Sequence, residues 1–466
     1  MNIDRRLAVL LALVLLSRLL FLAESPFEVD SVLLGMAVED FDPTQMRPHP
    51  PGYAGVVGLA RLLPFGPGLN LRLVAALSSV PMVLATWAIA KRLGGSPLLA
   101  AALVAANPVL WLYGLIENAY AAGAAGAACT AWAVLVARDE EGPRPAYIVG
   151  LALGITGALR PSLLVFLAPL ATYGVGRRRL HQAFLGAAIP TVLWVGASAI
   201  GSGGLGDFFV SVILQFTWIR EGHPDFWRLH QVHHLAVYTL QGLGGALLLL
   251  PFVRRVPRWR VLALWAGVPF AFHLVVYVAK SGYLVPYIPA VAVVACFASV
   301  PRALKIAAPL ASALFFLVAQ PLDVETDRTP KQPFDQKTWP ERLRSELSFL
   351  STASLARVRQ QDRVNDAYSA LVSSQMKPGR TTVIWVDRWD AAVCGHLVRG
   401  VKVVDLRTPK IEIPVEGRRI VVLGWDAPGE GFVEVADREG YAAWVRDLSL
   451  EDLPTTIATV KAVPVY

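Results

Sequence analysis

Charge is scarce in this 466-residue chain. Aspartate, glutamate, lysine and arginine make up 17% of it, against roughly a quarter in ordinary soluble domains. That shortage excludes a soluble enzyme and a disordered polymer. Cysteine is scarcer still. Cys129, Cys296 and Cys394 cannot build a disulfide framework; the first two sit inside apolar runs and the third has no evident partner. Solenoid repeats and low-complexity tracts are absent, as is any visible inverted-repeat symmetry, which disfavours many transporter folds. What fills the chain is apolar: 55% of residues are hydrophobic, 13 are tryptophan, and the mean hydropathy is +0.50. These figures describe a polytopic membrane protein.

Apolar runs cover residues 7–23, 73–90, 97–113, 119–137, 147–159, 163–175, 184–200, 235–253, 261–279, 284–300 and 306–322. A spanning helix needs roughly 20 residues, so most of these runs predict spans, about eleven in all. The runs 147–159 and 163–175 are short and predict tilted or re-entrant segments. The formal net charge of +8 would suit a polyanion partner if it were clustered, but it is distributed by topology. Arg5, Arg6, Lys91, Arg92, Arg138, Arg144, the Arg177–Arg179 triplet, Arg254, Arg255, Arg258, Arg260, Arg302 and Lys305 fall on one side of the alternating runs. Only Asp4, Asp139, Glu140 and Glu141 oppose them there. The positive-inside rule makes that side cytoplasmic. The expectation is a multi-pass protein of the plasma (inner) membrane with a cytoplasmic N-terminus, an external or periplasmic C-terminal domain and no nucleic-acid partner. Arg18 interrupts the first run and no clean cleavage site follows, so the start reads as an uncleaved span rather than a secretory signal.

The fold class expected is therefore mainly α, a transmembrane helix bundle with a small external C-terminal α/β domain. Residues 1–322 form the membrane body. Residues 323–376 read as a polar, partly helical connector, with a helix near Glu341 to Gln361. Residues 377–466 read as an accessory domain with strands at Thr381–Val386, Lys402–Leu406 and Arg419–Leu423 and a helix from Tyr441 to Leu448.

The first external loop carries the strongest chemical signal. Glu28 and Asp30 stand just outside the first run. About twenty residues later comes Arg47-Pro-His49-Pro-Pro-Gly-Tyr53, where the prolines forbid a helix and hold Arg47 and His49 in a rigid turn. Further along stand Asn107-Pro108 followed by Glu117, a glycine-rich run from Gly154 ending Leu-Arg160-Pro161, and Lys280-Ser-Gly-Tyr283-Leu-Val-Pro-Tyr-Ile-Pro289. The segment Gly222-His-Pro-Asp-Phe-Trp-Arg228-Leu-His230-Gln-Val-His233-His234 invites a zinc reading. It lacks the Cys or carboxylate that would complete a ligand set, and an interfacial amphipathic helix explains it better.

This layout resembles the GT-C superfamily of polyprenyl-phosphate-sugar-dependent glycosyltransferases, in particular the protein O-mannosyltransferase and lipid A aminoarabinose transferase group. The motifs that carry the resemblance are Glu28-Val-Asp30 and His49-Pro-Pro51, with weaker matches at Glu117, Arg160-Pro161 and Lys280 to Pro289. Two departures stand out. Ser31 occupies the place of a second acid, and the tail lacks the Trp-Trp-Asp motif of oligosaccharyltransferases. The resemblance implies an inverting transfer of a monosaccharide from a polyprenyl-phosphate donor to an acceptor hydroxyl at the external face.

The leaving phosphate needs little protonation, so a single base suffices, and Asp30 is the expected one. Glu28 and His49 would support it or bind acceptor. Cations that relieve charge on the departing phosphate are expected among Arg47, Arg160 and Lys280 with Tyr283 beside it, and less strongly Arg220 and Arg228. A divalent cation at Glu28, Asp30 and His49 stays open, as do the sugar and whether the acceptor is a glycan, a lipid or a protein. The competing class is a transporter or flippase. It would place ionisable residues within helices along a path, whereas here they gather in loops and at helix ends, Arg18 excepted.

Overall fold

The computed structural model describes residues 4–222, 229–275, 280–320, 352–375, 381–386, 402–405, 417–424, 433–438 and 441–447. The chain divides into two compact units. The first comprises residues 1–23, 33–320 and 349–356, and the second residues 24–32, 321–348 and 357–466.

The helices in chain order are α1 Arg5–Leu20, α2 Val29–Glu39, α3 Ala54–Arg61, α4 Pro67–Arg92, α5 Pro97–Ala106, α6 Pro108–Tyr113, α7 Tyr120–Asp139, α8 Pro143–Leu159, α9 Pro161–Val175, α10 Leu180–Gly201, α11 Leu205–Gly222, α12 Leu229–Leu243, α13 Trp259–Val275, α14 Ile288–Ala295, α15 Arg302–Val318 and α16 Leu355–Gln375. Three stretches among the described residues, Pro67–Arg92, Tyr120–Asp139 and Arg177–Gly201, are helical, long and apolar enough to cross a membrane. Other apolar runs form shorter helices, and proline breaks some of them. The expected span 97–113 is cut at Asn107-Pro108 into α5 and α6. The expected span 284–300 begins as a 3-10 turn, Ser281–Tyr287, before α14.

Hydrocarbon surroundings demand that a break satisfy the backbone groups it frees, and the α5–α6 break shows how. At the α5–α6 break, Asn107 caps α6: its Oδ1 accepts from the Val109 and Leu110 amides at 3.1 Å, and its Nδ2 donates to the Gly242 carbonyl at 2.8 Å. Capping diverts the Val109 amide from Ala105, whose carbonyl would otherwise end α5 unpaired. Arg18 donates to that carbonyl at 2.6 Å and lies 4.4 Å over the Trp111 ring. This accounts for a cation 1% exposed inside the first helix: it serves the negative end of a broken helix.

Helix α7 is the centre of the first unit, buried along nearly its whole length. Its Ala- and Gly-rich sequence lets neighbours approach closely, the rule for helix pairs without a solvent-driven hydrophobic effect. Helices α8 and α10 meet through Gly150, Gly154 and Gly186, where a methyl group would overlap the Ala183, Ala187 and Tyr147 carbonyls. At one end of the unit the α4–α5, α7–α8, α9–α10 and α12–α13 connections are laced together. Asp139 pairs with Arg92 at 2.6 Å and with Arg258, and Arg179 donates to the Ala137 carbonyl at 2.9 Å and to that of Glu140 at 3.1 Å. These connections carry the basic residues that the charge bias assigns to a single side.

The second unit contains a five-stranded sheet of β1 Thr381–Val386, β2 Lys402–Asp405, β3 Gly417–Gly424, β4 Val433–Arg438 and β5 Tyr441–Asp447 in the order β2-β1-β3-β5-β4. β1 runs parallel to β2 and β3, with Val383 opposite Lys402 and Ile420; β5 is antiparallel to β3 and β4. The three expected strands are present. The helix expected from Tyr441 to Leu448 is instead β5. Ala442 and Ala443 favour helix locally, but pairing on both edges of the segment overrides that propensity. The connector helix is observed at Leu355–Gln375; residues 341–351, where its expected start lies, are outside those described.

Replacing Gly150 with leucine forces α8 and α10 apart against carbonyl groups that cannot yield. The expected outcome is a loss of about 1–3 kcal/mol or more, read as a lowered thermal midpoint in detergent. Gly196→Leu, on a helix face with open space, leaves the midpoint unchanged.

Candidate active site

The proline-rich turn is built from backbone geometry first. Asp42 and Arg47 exchange backbone hydrogen bonds at 2.7 and 2.9 Å, enclosing a 3-10 turn at Pro43–Gln45. The Asp42 carboxylate accepts from the Thr44 amide and hydroxyl; desolvation works to raise its pKa, and these bonds outweigh it and hold it below the ordinary carboxylate range. Gly52 has φ +104° and packs against Ser198 Oγ and Phe41, so both its backbone and its surroundings exclude a side chain. His49 is half-buried and sits edge-on to Tyr53 at 5.1 Å. Arg47 is engaged by Asp40 and Gln45.

Arg160 stands at the α8–α9 break. Pro161 opens α9, which leaves Arg160 in extended conformation, its amide closing α8 on Thr156 and its carbonyl accepting from Leu163. The side chain is 6% exposed, with its guanidinium 4.0 Å over the Tyr120 ring and 5.5 Å from that of Tyr283. Lys280 reaches the same Tyr120 ring at 5.5 Å. Two cations thus approach one aromatic ring, and no carboxylate pairs with Arg160 among the described residues. Tyr113 lies 4.9 Å from Tyr120, and His273 lies 5.1 Å from Tyr283. Gly282 makes room for this cluster, since a Cβ there would come within 2.9 Å of Tyr113 and Tyr120. The Tyr287 hydroxyl is buried without a hydrogen-bond partner among the described residues.

A buried ion pair lies elsewhere in the same unit. Glu117, 1% exposed, faces Arg72 at 3.4 Å, and Arg72 also donates to the Ala23 carbonyl at 2.6 Å. Asn118 next to it caps α7 through the Tyr120 and Ala121 amides.

Glu28 and Asp30 belong to the second unit. Asp30 lies in the first turn of α2, where the helix dipole favours a carboxylate. The strand of chain just before it is held by α16. Asp362 Oδ1 accepts from the Glu24 amide at 2.9 Å, the Ser25 amide at 2.9 Å and the Ser25 hydroxyl at 3.0 Å. Asn365 donates to Ser25 Oγ at 2.8 Å and to the Pro26 carbonyl at 2.7 Å, and Arg359 bridges Glu24 and Asp362.

Among the expected site residues, then, Arg160, Lys280 and Tyr283 come together, and Arg47 is turned to Asp40. No group of three His, Cys, Asp or Glu positioned for a metal occurs among the described residues. Arg228 lies outside those residues, as do the side chains of Arg220, His230, His233 and His234. Sequence reasoning did not single out Tyr113, Tyr120, Tyr287, His273 or Arg72, which the structure places in these clusters. It noted Glu117 only as part of a hairpin. Tyr120 gave a usable signal, an aromatic at a helix start beside a buried Glu-Asn pair; His273 gave none.

Residues 48–199 match the family described as dolichyl-phosphate-mannose-protein mannosyltransferase. The chain is also similar in structure to ArnT from Cupriavidus metallidurans. In the apo state the TM-score is 0.61 at 14% identity, and bound to undecaprenyl phosphate it is 0.58 at 15%. Both cover 95% of this chain and 98% of that one. The chain has a GT-C fold. No curated protein matches its sequence. With this fold go the apolar helices of a multi-pass membrane protein, three of them long and apolar enough to cross a membrane among the described residues.

Asp362→Ala removes the acceptor for three donors, of which the Ser25 amide and hydroxyl are buried. Each charge-assisted bond of this kind contributes about 1.5–3 kcal/mol. The expected outcome is amide exchange at Glu24 and Ser25 faster by at least about tenfold in hydrogen–deuterium exchange. Asp362→Asn, which keeps an acceptor oxygen, gives a smaller change.

Proposed function

We propose that this GT-C chain is an inverting glycosyltransferase that moves a monosaccharide from a polyprenyl-phosphate donor to an acceptor hydroxyl on the external face of the membrane. The observation that carries the reading is the pair of cations, Arg160 and Lys280, over Tyr120 at helix breaks. A phosphate ester at a membrane surface is the ligand such a pair suits, and the similar ArnT structure is described as bound to undecaprenyl phosphate.

In this reading Arg160, Lys280 and Tyr283 hold the donor phosphate. Asp30 accepts the proton of the acceptor hydroxyl as its oxygen attacks the anomeric carbon. The bond from that carbon to the phosphate oxygen breaks on the opposite face, and the electron pair leaves with polyprenyl phosphate. The two cations stabilise the charge gathered there, which is greater in the transition state than in the bound donor. Glu28 and His49 orient the acceptor. The sheet-bearing C-terminal region is an accessory domain on the same external side. A transporter reading would draw on Arg18 as a residue along a path, but its bond to the Ala105 carbonyl gives it a structural role instead.

The test is transfer by the purified protein in nanodiscs, using a radiolabelled undecaprenyl-phosphate sugar with membrane extract as acceptor. Arg160→Gln and Lys280→Gln each weaken undecaprenyl-phosphate binding about 10- to 100-fold, the range of one charge-assisted bond. Asp30→Asn leaves binding intact and lowers turnover by at least about 100-fold, the lower range for loss of a general base. Turnover undiminished in Asp30→Asn overturns the assigned base; substrate flux in proteoliposomes without sugar transfer overturns the enzyme reading.

A further inference from the structure

A cleft of about 530 Å³ opens in the first unit between the proline-rich turn and the start of α11, within the size range of small-ligand sites. Its polar lining comes from three places. Thr44 belongs to the turn, Ser202 stands just past the end of α10, and Asp207, Ser211 and Gln215 come from α11. The last three are spaced four apart, so they form one ridge along the helix. Pro43 and Pro50 of the turn and Val210 and Leu214 of α11 supply the apolar part.

The hydrogen-bonding capacity of this lining is uneven. Thr44 spends its hydroxyl proton on Asp42, and Ser211 spends its own on the Phe208 carbonyl at 2.7 Å. Both keep acceptor capacity towards the cleft. Ser202 is 6% exposed, and its hydroxyl has no partner among the described residues, although a buried hydroxyl left unpaired is unfavourable. Asp207 is the single charged residue in the lining among the described residues. The cleft is therefore rich in acceptors, offers donors from Ser202 and Gln215, and repels anions.

The mouth has a different character. Val210 and Leu214 are 54% and 61% exposed, and they continue into Leu205, Phe209, Ile213 and Phe216, all exposed as well. In a chain that spans a membrane, such a stripe meets lipid. Polar side chains on a lipid-contacting helix turn to a cavity or a partner, and here the polar ridge borders the stripe.

We propose that this cleft binds a membrane amphiphile whose headgroup carries hydroxyls and no negative charge, with its apolar part lying along the α11 stripe. A neutral glycolipid has that chemistry. Its hydroxyls meet Asp207, Ser202 and Gln215, its sugar ring lies against the prolines, and its chains leave past Val210 and Leu214. The proposal does not depend on the glycosyltransferase reading, because none of these residues is assigned to the donor or the base.

The experiment measures binding, not turnover. The intact protein in phosphatidylcholine nanodiscs is titrated with monoglucosyl diacylglycerol, phosphatidylglycerol and methyl β-glucoside, and occupancy is followed by native mass spectrometry. The expected result is saturable binding of monoglucosyl diacylglycerol that excess phosphatidylglycerol does not displace. Asp207→Asn and Ser202→Ala each weaken it about tenfold. Gln215→Leu, which keeps the side chain's bulk and removes its amide donor and acceptor from the ridge, weakens it as well and provides a second route should either of the others lower the thermal midpoint. Methyl β-glucoside binds at least about 100-fold more weakly. Comparable binding of the free sugar overturns the part assigned to the apolar stripe. Preference for phosphatidylglycerol, binding insensitive to all three variants, or no saturable binding above the phosphatidylcholine host overturns the site.

Discussion

Within hydrocarbon a helix cannot end without a partner for each backbone group it releases. That constraint organises the first unit of this chain. Proline and glycine interrupt the apolar runs at Asn107-Pro108, at Arg160-Pro161 and through Ser281–Tyr287, and each interruption is resolved by a nearby polar side chain or a short turn. The breaks are also where chemistry becomes possible. Arg160 is at one and Lys280 borders another, and the Ala-rich α7 places Tyr120 between them. A continuous helix at either point would turn these cations along its flank; the breaks turn them onto a shared ring.

The same constraint distinguishes polar residues that serve backbone groups from those that do not. Arg18, Asn107 and Asn118 are buried in the membrane body, yet each is committed to a backbone group that a broken helix would leave unpaired. Arg160 is buried too, but aromatic rings lie against its guanidinium. Its electrostatic partners are tyrosines, Tyr120 among them, rather than the backbone of a broken helix.

Much of this was legible in the sequence, and what escaped did so for identifiable reasons. The apolar runs and the one-sided basic loops announced a helical membrane body, and the turn around His49 stood out because prolines have few uses. Arg160 and Lys280 could be picked because each lies at the end of an apolar run beside proline or glycine. Tyr120, Tyr113 and His273 could not: an aromatic within an apolar run looks the same whether it packs or recognises. The engagement of Arg47 by Asp40 was hidden because both stand in a loop whose folding back depends on the Asp42–Arg47 backbone pair. Tyr441 to Asp447 misled because two alanines speak for helix, while the deciding contacts come from strands distant in sequence or across a turn.

The grip of α16 on residues 24–26 has a consequence for how the protein is made. Membrane helices enter the bilayer in the order in which they leave the ribosome, so the segment that precedes Asp30 is among the first to be delivered. Its seat, however, is completed by Asp362 and Asn365, more than 330 residues later in translation. The nascent chain therefore carries the root of its acidic loop unfastened through nearly the whole of its insertion. The fastening comes only when the connector helix emerges, so maturation of that loop is timed by α16 rather than by the loop's own synthesis.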